Sequence, residues 1–472
     1  MQEYLTTVSR YLLVLCMAFY TLDSFWVFRY KEEREGGFLY IRQNFWMFAI
    51  QLIGFFNLAI ISREEQYVFL YMALQIFLFL VLCITSLIYR KINRLLLNNM
   101  CMLLGIGMIM ISRLFLDKAI RQFKIIAVSY VIGMLVPVVI TKIKAWPKLA
   151  WIYASMGVIP LGAVLLLGET TLGSKLSFRI QGLTFQPSEL VKLLFVFFLA
   201  ASLYQSTSLW NILLTSVVAA VHVLILVAST DLGSALIFFV TYLAMIFVAS
   251  RNYLYLLLGV GAGAGASVVA YHLFSHVRIR VLAWSNPWNY IDNQGYQITQ
   301  SLFAIGSGSW FGMGLHQGTP DDIPYVEEDF IFSSICEEFG TLFGICLLLV
   351  ILSCFIMMVK IALKNKHEFY RLAAFGFSIM YIFQIFLTVG GGIKFIPLTG
   401  VTLPFISYGG SSVLATMLMF FVLQGIYMVA LEEGDMPYVE QEEFEGAGEL
   451  EYIDYDAEDF EEESYEEPYE GQ

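Results

Sequence analysis

The residues in this chain most able to do chemistry are ionisable groups embedded in apolar surroundings. Glu189 and Lys192 stand three positions apart inside an otherwise apolar run, so on a helix they share a face and can neutralise one another. A lone charge at a bilayer centre costs ~2.5–3.5 kcal/mol on insertion scales. Such a pair is therefore either a structural ion pair or part of a polar cavity. Asp231 falls where one apolar run ends and the next begins, and Glu337 and Glu338 enter the run after the longest polar stretch. Arg113, Arg121, Arg179 and Lys394 are cations that could join a cavity of this kind. Carboxylates beside cations suit proton transfer and the binding of an anionic group.

Other chemistries find no support. The run Gly168–Lys175, GETTLGSK, nearly spells a phosphate-binding loop, but Ser174 precedes Lys175 and no strand is expected to lead into it. The five histidines are scattered, so a histidine-built zinc site is not expected. The six cysteines lie in or beside apolar runs without a C-x-x-C pair and read as buried thiols. Gly259, Gly261, Gly263 and Gly265 read as a helix-packing stripe.

The elements that must position these groups follow from composition. The 472 residues are 58% apolar and only 14% charged, with a mean hydropathy of +0.72, against about 25% charge in a soluble domain. The expected fold class is all-α, a polytopic membrane protein. A bilayer core of ~30 Å takes about 20 apolar residues per helix. Thirteen helices are expected near 11–28, 41–62, 67–89, 95–116, 122–141, 148–167, 186–204, 209–229, 231–249, 253–274, 329–360, 369–389 and 403–431. The first has no cationic stretch before it and no A-x-A site after it, so it reads as a span rather than a cleaved signal.

Charge sets the expected sidedness. The net charge of −12 resides in a tail, since 432–472 holds 19 acidic residues and no Lys or Arg, leaving 20 acidic against 27 basic in the body. With Tyr4 outside, short inner loops collect 15 of the 27 basic residues, the bias expected of cytoplasmic loops. The tail then lies in the cytoplasm, and its composition cannot bury a core, so it reads as disordered. The stretch 275–328 lies outside and carries Trp284, Trp288, Tyr290, Tyr296 and Trp310; an ordered loop of that length is the first place to look for chemistry.

Against this background several blocks resemble one family. Gln186-Pro187-Ser188-Glu189-Leu190-Val191-Lys192 is similar to the QPSELxK signature of the shape, elongation, division and sporulation (SEDS) family, which includes RodA, FtsW and SpoVE. Asp231-Leu232-Gly233-Ser234 resembles its DLGT turn, with Ser229-Thr230 in place of Gln-Pro. Gly295-Tyr296-Gln297, Gln300-Ser301 and Ile305-Gly306-Ser307-Gly308 resemble GYQxxQSxxAIGSG. Asp329-Phe330-Ile331-Phe332 with Glu337-Glu338-Phe339-Gly340 resembles DFIFxxxxEExG, and Pro397-Leu398-Thr399-Gly400 with 403–412 resembles the terminal signature. Two blocks depart: Leu176-Ser177 replaces an Arg-Trp pair, and Ile323–Phe330 loses the Glu and His of LPExHTDF.

The resemblance implies a ten-helix core over 93–431, an added unit of three helices over 1–92, an extracytoplasmic catalytic loop over 275–328 and a cytoplasmic tail over 432–472. It implies a glycosyltransferase at the outer face of the bacterial plasma membrane that polymerises lipid II, a disaccharide-peptide on undecaprenyl diphosphate. A class B penicillin-binding protein, a transpeptidase, is the implied partner, with membrane lipids and no nucleic acid. The family's catalytic aspartate lies between a Pro and the Gly-Tyr-Gln block, and Asp292 is the one acid there. Gln186, Glu189, Lys192, Asp231, Gln297, Gln300, Lys394, Ser411 and Arg113 are the implied substrate-binding or cavity residues. A divalent cation (Mg or Mn) would share the diphosphate charge, although no clear cage for it is visible in the sequence. A lipid II flippase and a non-catalytic scaffold of cell-wall synthesis are the competing classes.

Overall fold

The computed structural model describes residues 2–30, 37–171, 174–180 and 183–435. The described residues contain thirteen helical stretches long and apolar enough to cross a membrane, so the chain is a multi-pass membrane protein. Two compact units divide at Ala430 and Leu431. The acidic tail beyond Asp435 and two of the cations counted for sidedness, Lys31 and Arg34, lie outside the described residues, as does the Arg179 side chain.

Three helices come first: α1 (Gln2–Trp26), α2 (Gly37–Ser62) and α3 (Glu65–Ile88). Next comes α4 (Arg94–Leu114), started by an Asn93 side chain that accepts from Leu96 N, and every residue from Leu95 to Leu114 is buried. α1 packs on α2 and, much later in the chain, on α15 (Thr341–Lys364), while α2 packs on α4. One helix was expected over 122–141. The chain instead forms α5 (Leu116–Gly133) and α6 (Val136–Lys142), because the ring of Pro137 opposes the carbonyl four residues earlier, at Gly133.

After α7 (Ala150–Leu167) come three short strands, β1 (Glu169–Thr171), β2 (Ser174–Ile180) and β3 (Leu183–Phe185), an antiparallel sheet in the order β1-β2-β3. No strand leads into the GETTLGSK run, which follows α7; the strands lie within and after it, where Leu176-Ser177-Phe178-Arg179-Ile180 alternates with the strand period. Five helices follow: α8 (Pro187–Gln205), α9 (Leu209–Ala228), α10 (Leu232–Ser250), α11 (Tyr253–Leu273) and α16 (Glu368–Gly392), the last reached only after the 275–328 segment and α15. α8, α10 and α16 pack mutually. α11 leans on α10 and buries none of its residues. Only half of the glycine stripe packs: Gly259 and Gly263 meet Leu243 and Phe239, while Gly261 and Gly265 face open space. Glycines spaced two apart on a helix point to opposite sides, so one partner cannot cover all four.

The 275–328 stretch is far from structureless. It holds α12 (Ser275–Ser285) and α13 (Tyr296–Gly308), joined by a 3-10 turn over Pro287–Tyr290. The single helix expected over 329–360 is two, α14 (Ile331–Phe339) and α15, separated at Gly340, whose φ of +93° breaks the helix. A Cβ there would strike the backbone of Gly312 and Trp310. The gap is closed by backbone pairing: Met313 N donates to Glu337 O at 2.9 Å and Thr341 N to Ser309 O at 2.9 Å. A loop from 393 to 409 then leads into α17 (Gly410–Asp435).

Candidate active site

The start of α8 is set by Pro187 at its first turn, a position where the missing N–H costs nothing. Gln186, just before it, donates through its backbone N–H to Ser411 Oγ at 3.0 Å, so the first residues of α8 and α17 are tied together. The Gln186 side chain donates to Asp231 Oδ2 at 3.3 Å and Ser188 Oγ donates to the same oxygen at 3.1 Å. The other Asp231 oxygen accepts from Ser234 N at 3.1 Å and caps α10.

One turn into α8 lies the expected pair. Lys192 Nζ donates to Glu189 Oε2 at 2.9 Å, with both side chains 5% exposed. The ammonium has a further partner that the sequence reading did not name: Gln384 Oε1 on α16, at 2.8 Å. Gln384 in turn donates to Thr402 O at 2.9 Å, and Thr402 Oγ1 shares a 2.7 Å hydrogen bond with Ser412 Oγ. The signal for Gln384 was available, since an amide in the middle of an apolar span needs a buried partner.

A second residue absent from the sequence-derived set is Arg280 on α12. Its Nη1 donates to Thr399 O at 3.0 Å, and its charge is felt by Asp329 and Asp231. Burial pushes the Arg280 guanidinium below its ordinary value, the two aspartates opposing that fall. Burial likewise drives the Asp329 carboxyl up to about 7; Glu328 adds to the rise and Arg280 resists it. Reading 275–328 as one loop hid Arg280, because its meaning depends on α12 lying against the 397–409 segment.

Asp292 occupies the turn between the 3-10 segment and α13 and is exposed. That turn is held by Gly295 N donating to Tyr290 O at 2.9 Å and Asn293 N to the same oxygen at 3.0 Å. A Cβ at Gly295 would run into the Pro287 carbonyl. The carboxylate of Asp292 takes part in no hydrogen bond or ion pair among the described residues, so its oxygens are available. α13 is anchored lower down by Ser301 Oγ, which donates to Gly392 O at 2.8 Å and bonds Ser333 Oγ at 2.6 Å. Gln297 and Gln300 on the same helix are half-buried, as is Lys394 at the end of α16.

Gln186, Asp231 and Ser411 thus form one cluster, and Glu189 and Lys192 form another on the next turn. Arg113 goes elsewhere. Its Nε donates to Glu338 Oε1 at 2.7 Å, Nη1 to Asp321 Oδ2 at 3.2 Å and Nη2 to Gly318 O at 3.1 Å. Its donors are thereby committed to Glu338, Asp321 and Gly318, so Arg113 is neutralised where Arg121 is exposed. Among the described residues no group of three His, Cys, Asp or Glu side chains could hold a metal ion.

Comparison with known proteins completes the picture. The profile of a family described as cell cycle protein (FtsW, RodA, SpoVE) matches residues 93–430. The peptidoglycan glycosyltransferase RodA of Mycobacterium tuberculosis (strain ATCC 25618 / H37Rv) is 33% identical over 362 residues, 70% of this chain and 77% of that protein. The probable peptidoglycan glycosyltransferase FtsW of Buchnera aphidicola subsp. Baizongia pistaciae is 32% identical over 292 residues, 60% of this chain and 77% of the relative. Among solved structures, a chain from work on the structural coordination of polymerization and crosslinking by a peptidoglycan synthase complex superimposes with a TM-score of 0.61 at 26% identity, covering 72% of this chain and 98% of that one. The rod shape determining protein RodA of Thermus thermophilus shares the fold at a TM-score of 0.56 and 23% identity, with 72% and 98% covered. With 93–430 matched and these likenesses, the chain belongs to the FtsW, RodA and SpoVE family.

Proposed function

We propose that this protein is a peptidoglycan glycosyltransferase that polymerises lipid II at the outer face of the plasma membrane. The observation that carries the reading is the continuous polar strip from Lys192 through Gln384, Thr402 and Ser412 to the start of α17, with Gln186 and Asp231 beside it. Its members satisfy one another inside apolar helices, and intramembrane ionisable groups that pair in this way commonly line a substrate path.

In this account Asp292 is the general base. The acceptor's sugar 4-hydroxyl attacks the anomeric carbon of the donor, and its proton passes to the Asp292 carboxylate. The bond to undecaprenyl diphosphate breaks on the opposite face, so the anomer inverts. Lys394 and Arg121 meet the departing diphosphate, while Gln297 and Gln300 offer amides from the helix that follows the base. Gln186, Glu189, Lys192, Asp231 and Ser411 shape the cavity wall, and Arg113 braces the outer segment. Among the described residues no group of three His, Cys, Asp or Glu side chains fits a divalent ion.

On this reading the amino terminus and the 275–328 segment are extracytoplasmic and the acidic tail is cytoplasmic. A class B penicillin-binding protein would cross-link the strands. Purified protein given labelled lipid II in detergent, with and without such a partner, should form glycan strands. A flippase would move lipid II across vesicles without polymerising it, and a scaffold would do neither.

A further inference from the structure

Helices α1–α3 precede the segment matched to the family, and the proposed reaction leaves them without a task. Two of their ends nevertheless close on one stretch of the outer segment. On α1, Arg10 Nη1 donates to Gly312 O at 3.1 Å, its Nη2 reaches Tyr11 Oη at 3.0 Å, and the Tyr11 ring lies 5.3 Å from that of Phe311. At the end of α2, Ser62 Oγ shares a 3.3 Å hydrogen bond with His316 Nε2. The gripped stretch is unusual backbone: Gly312, Gly314 and His316 all have positive φ, at +78°, +104° and +65°. For His316 that is a conformation a side chain rarely adopts unless its surroundings impose it.

The opposite side of the same stretch is bound to the core. Met313 N and Gly314 N donate to the carbonyls of Glu337 and Glu338, each at 2.9 Å. Four residues further on, Gly318 O and Asp321 accept from Arg113, and Thr319 N donates to Glu337 Oε1 at 3.0 Å. Upstream, the stretch continues directly from α13, whose opposite end carries the turn with Asp292. The grip from α1 and α2 therefore fixes the far end of the helix that presents the base.

We propose that the added α1–α2 hairpin is a brace for the outer segment, with Arg10 and Ser62 as positioning residues that hold Gly312–His316 and through it α13 and α14. Neither residue touches substrate. Their effect on rate rests on the glycosyltransferase reading, because a base displaced by a fraction of an ångström loses the aligned geometry that accelerates attack. The effect on order does not rest on it.

The test uses the full-length protein in detergent, as wild type and as Arg10→Ala, Ser62→Ala, the double variant and Arg10→Lys. Hydrogen–deuterium exchange over 311–322 is read beside kcat and KM for lipid II polymerisation. The double variant should exchange on the order of tenfold faster over 311–322, with α4 unchanged, since local opening is set by local contacts. Its kcat should fall on the order of tenfold with KM held, as expected for lost alignment rather than lost binding. Arg10→Lys, which keeps a donor for Gly312 O, should restore part of both. If the double variant does not fold, each single variant should show the same pattern in smaller measure. Unchanged exchange over 311–322 overturns the brace, as does faster exchange with kcat intact. A wild-type protein with no polymerase activity would defeat the enzymatic reading alone, and the exchange result would still decide the brace.

Discussion

Substituting Glu189 with Gln removes one charge from a pair that water hardly reaches, since each side chain is 5% exposed. The Lys192 ammonium would then keep only Gln384 Oε1 at 2.8 Å and the new amide oxygen. Breaking a buried pair from one side costs about 3–5 kcal/mol, because an uncompensated charge stays behind. At ~1.4 kcal/mol per decade that is roughly two to three and a half decades in the folded-to-unfolded ratio. Lys192→Met should cost as much, now stranding the carboxylate. The double variant Glu189→Gln/Lys192→Met buries no charge, and Gln384 keeps its bond to Thr402 O at 2.9 Å. It should recover most of the loss, giving a coupling of at least ~2 kcal/mol between the sites. Thermal unfolding in detergent measures the stability of all four proteins, and lipid II polymerisation measures their function. The account expects the double variant to be folded and inactive. Strictly additive single effects, or full activity in either single variant, would refute the reasoning.

Further outcomes follow from other parts of the molecule. Asp329 has an ordinary value of 3.8 and is raised to about 7 in the folded protein, so between those values the folded state binds the extra proton and stability falls as pH rises. Asp329→Asn should flatten that decline in Tm between about pH 5 and 7, and an unchanged slope would contradict the assignment. Gly312→Ala places a Cβ against the Glu338 carbonyl at a φ of +78°, so unfolding should become easier by at least ~1 kcal/mol; a neutral effect would show that the Gly312–Gly340 approach is not required. Single cysteines introduced at Gln300 and Tyr455 should be labelled from opposite sides of the membrane by an impermeant thiol reagent, and labelling from one side would sink the proposed topology.

The helical membrane fold could be read from the sequence because twenty-residue apolar runs have few alternatives in a bilayer. The Glu189–Lys192 pair was legible for the same reason: two charges three apart in an apolar helix have each other as nearest remedy. What stayed hidden depends on contacts distant in sequence. Lys192 reaches Gln384 across 192 positions and Arg280 reaches Thr399 across 119, and no local period announces either. The break at Gly340 depends on Gly312 lying opposite it, so the extended apolar run read as one helix. Arg113 reads as a cavity residue by the resemblance, but Glu338, 225 positions away, accepts from its Nε and draws it elsewhere.

Asp292 decides the central claim most directly. Asp292→Asn preserves the size of a side chain that is exposed and without a hydrogen bond or ion pair among the described residues, so the protein should fold as the wild type does. Loss of a general base typically costs on the order of 10²–10⁴ in rate. The measurement is the initial rate of lipid II polymerisation by the purified Asp292→Asn protein at matched concentration and unchanged Tm. The account predicts a fall of that size with lipid II still bound, and a rate near that of the wild type would remove Asp292 from the mechanism.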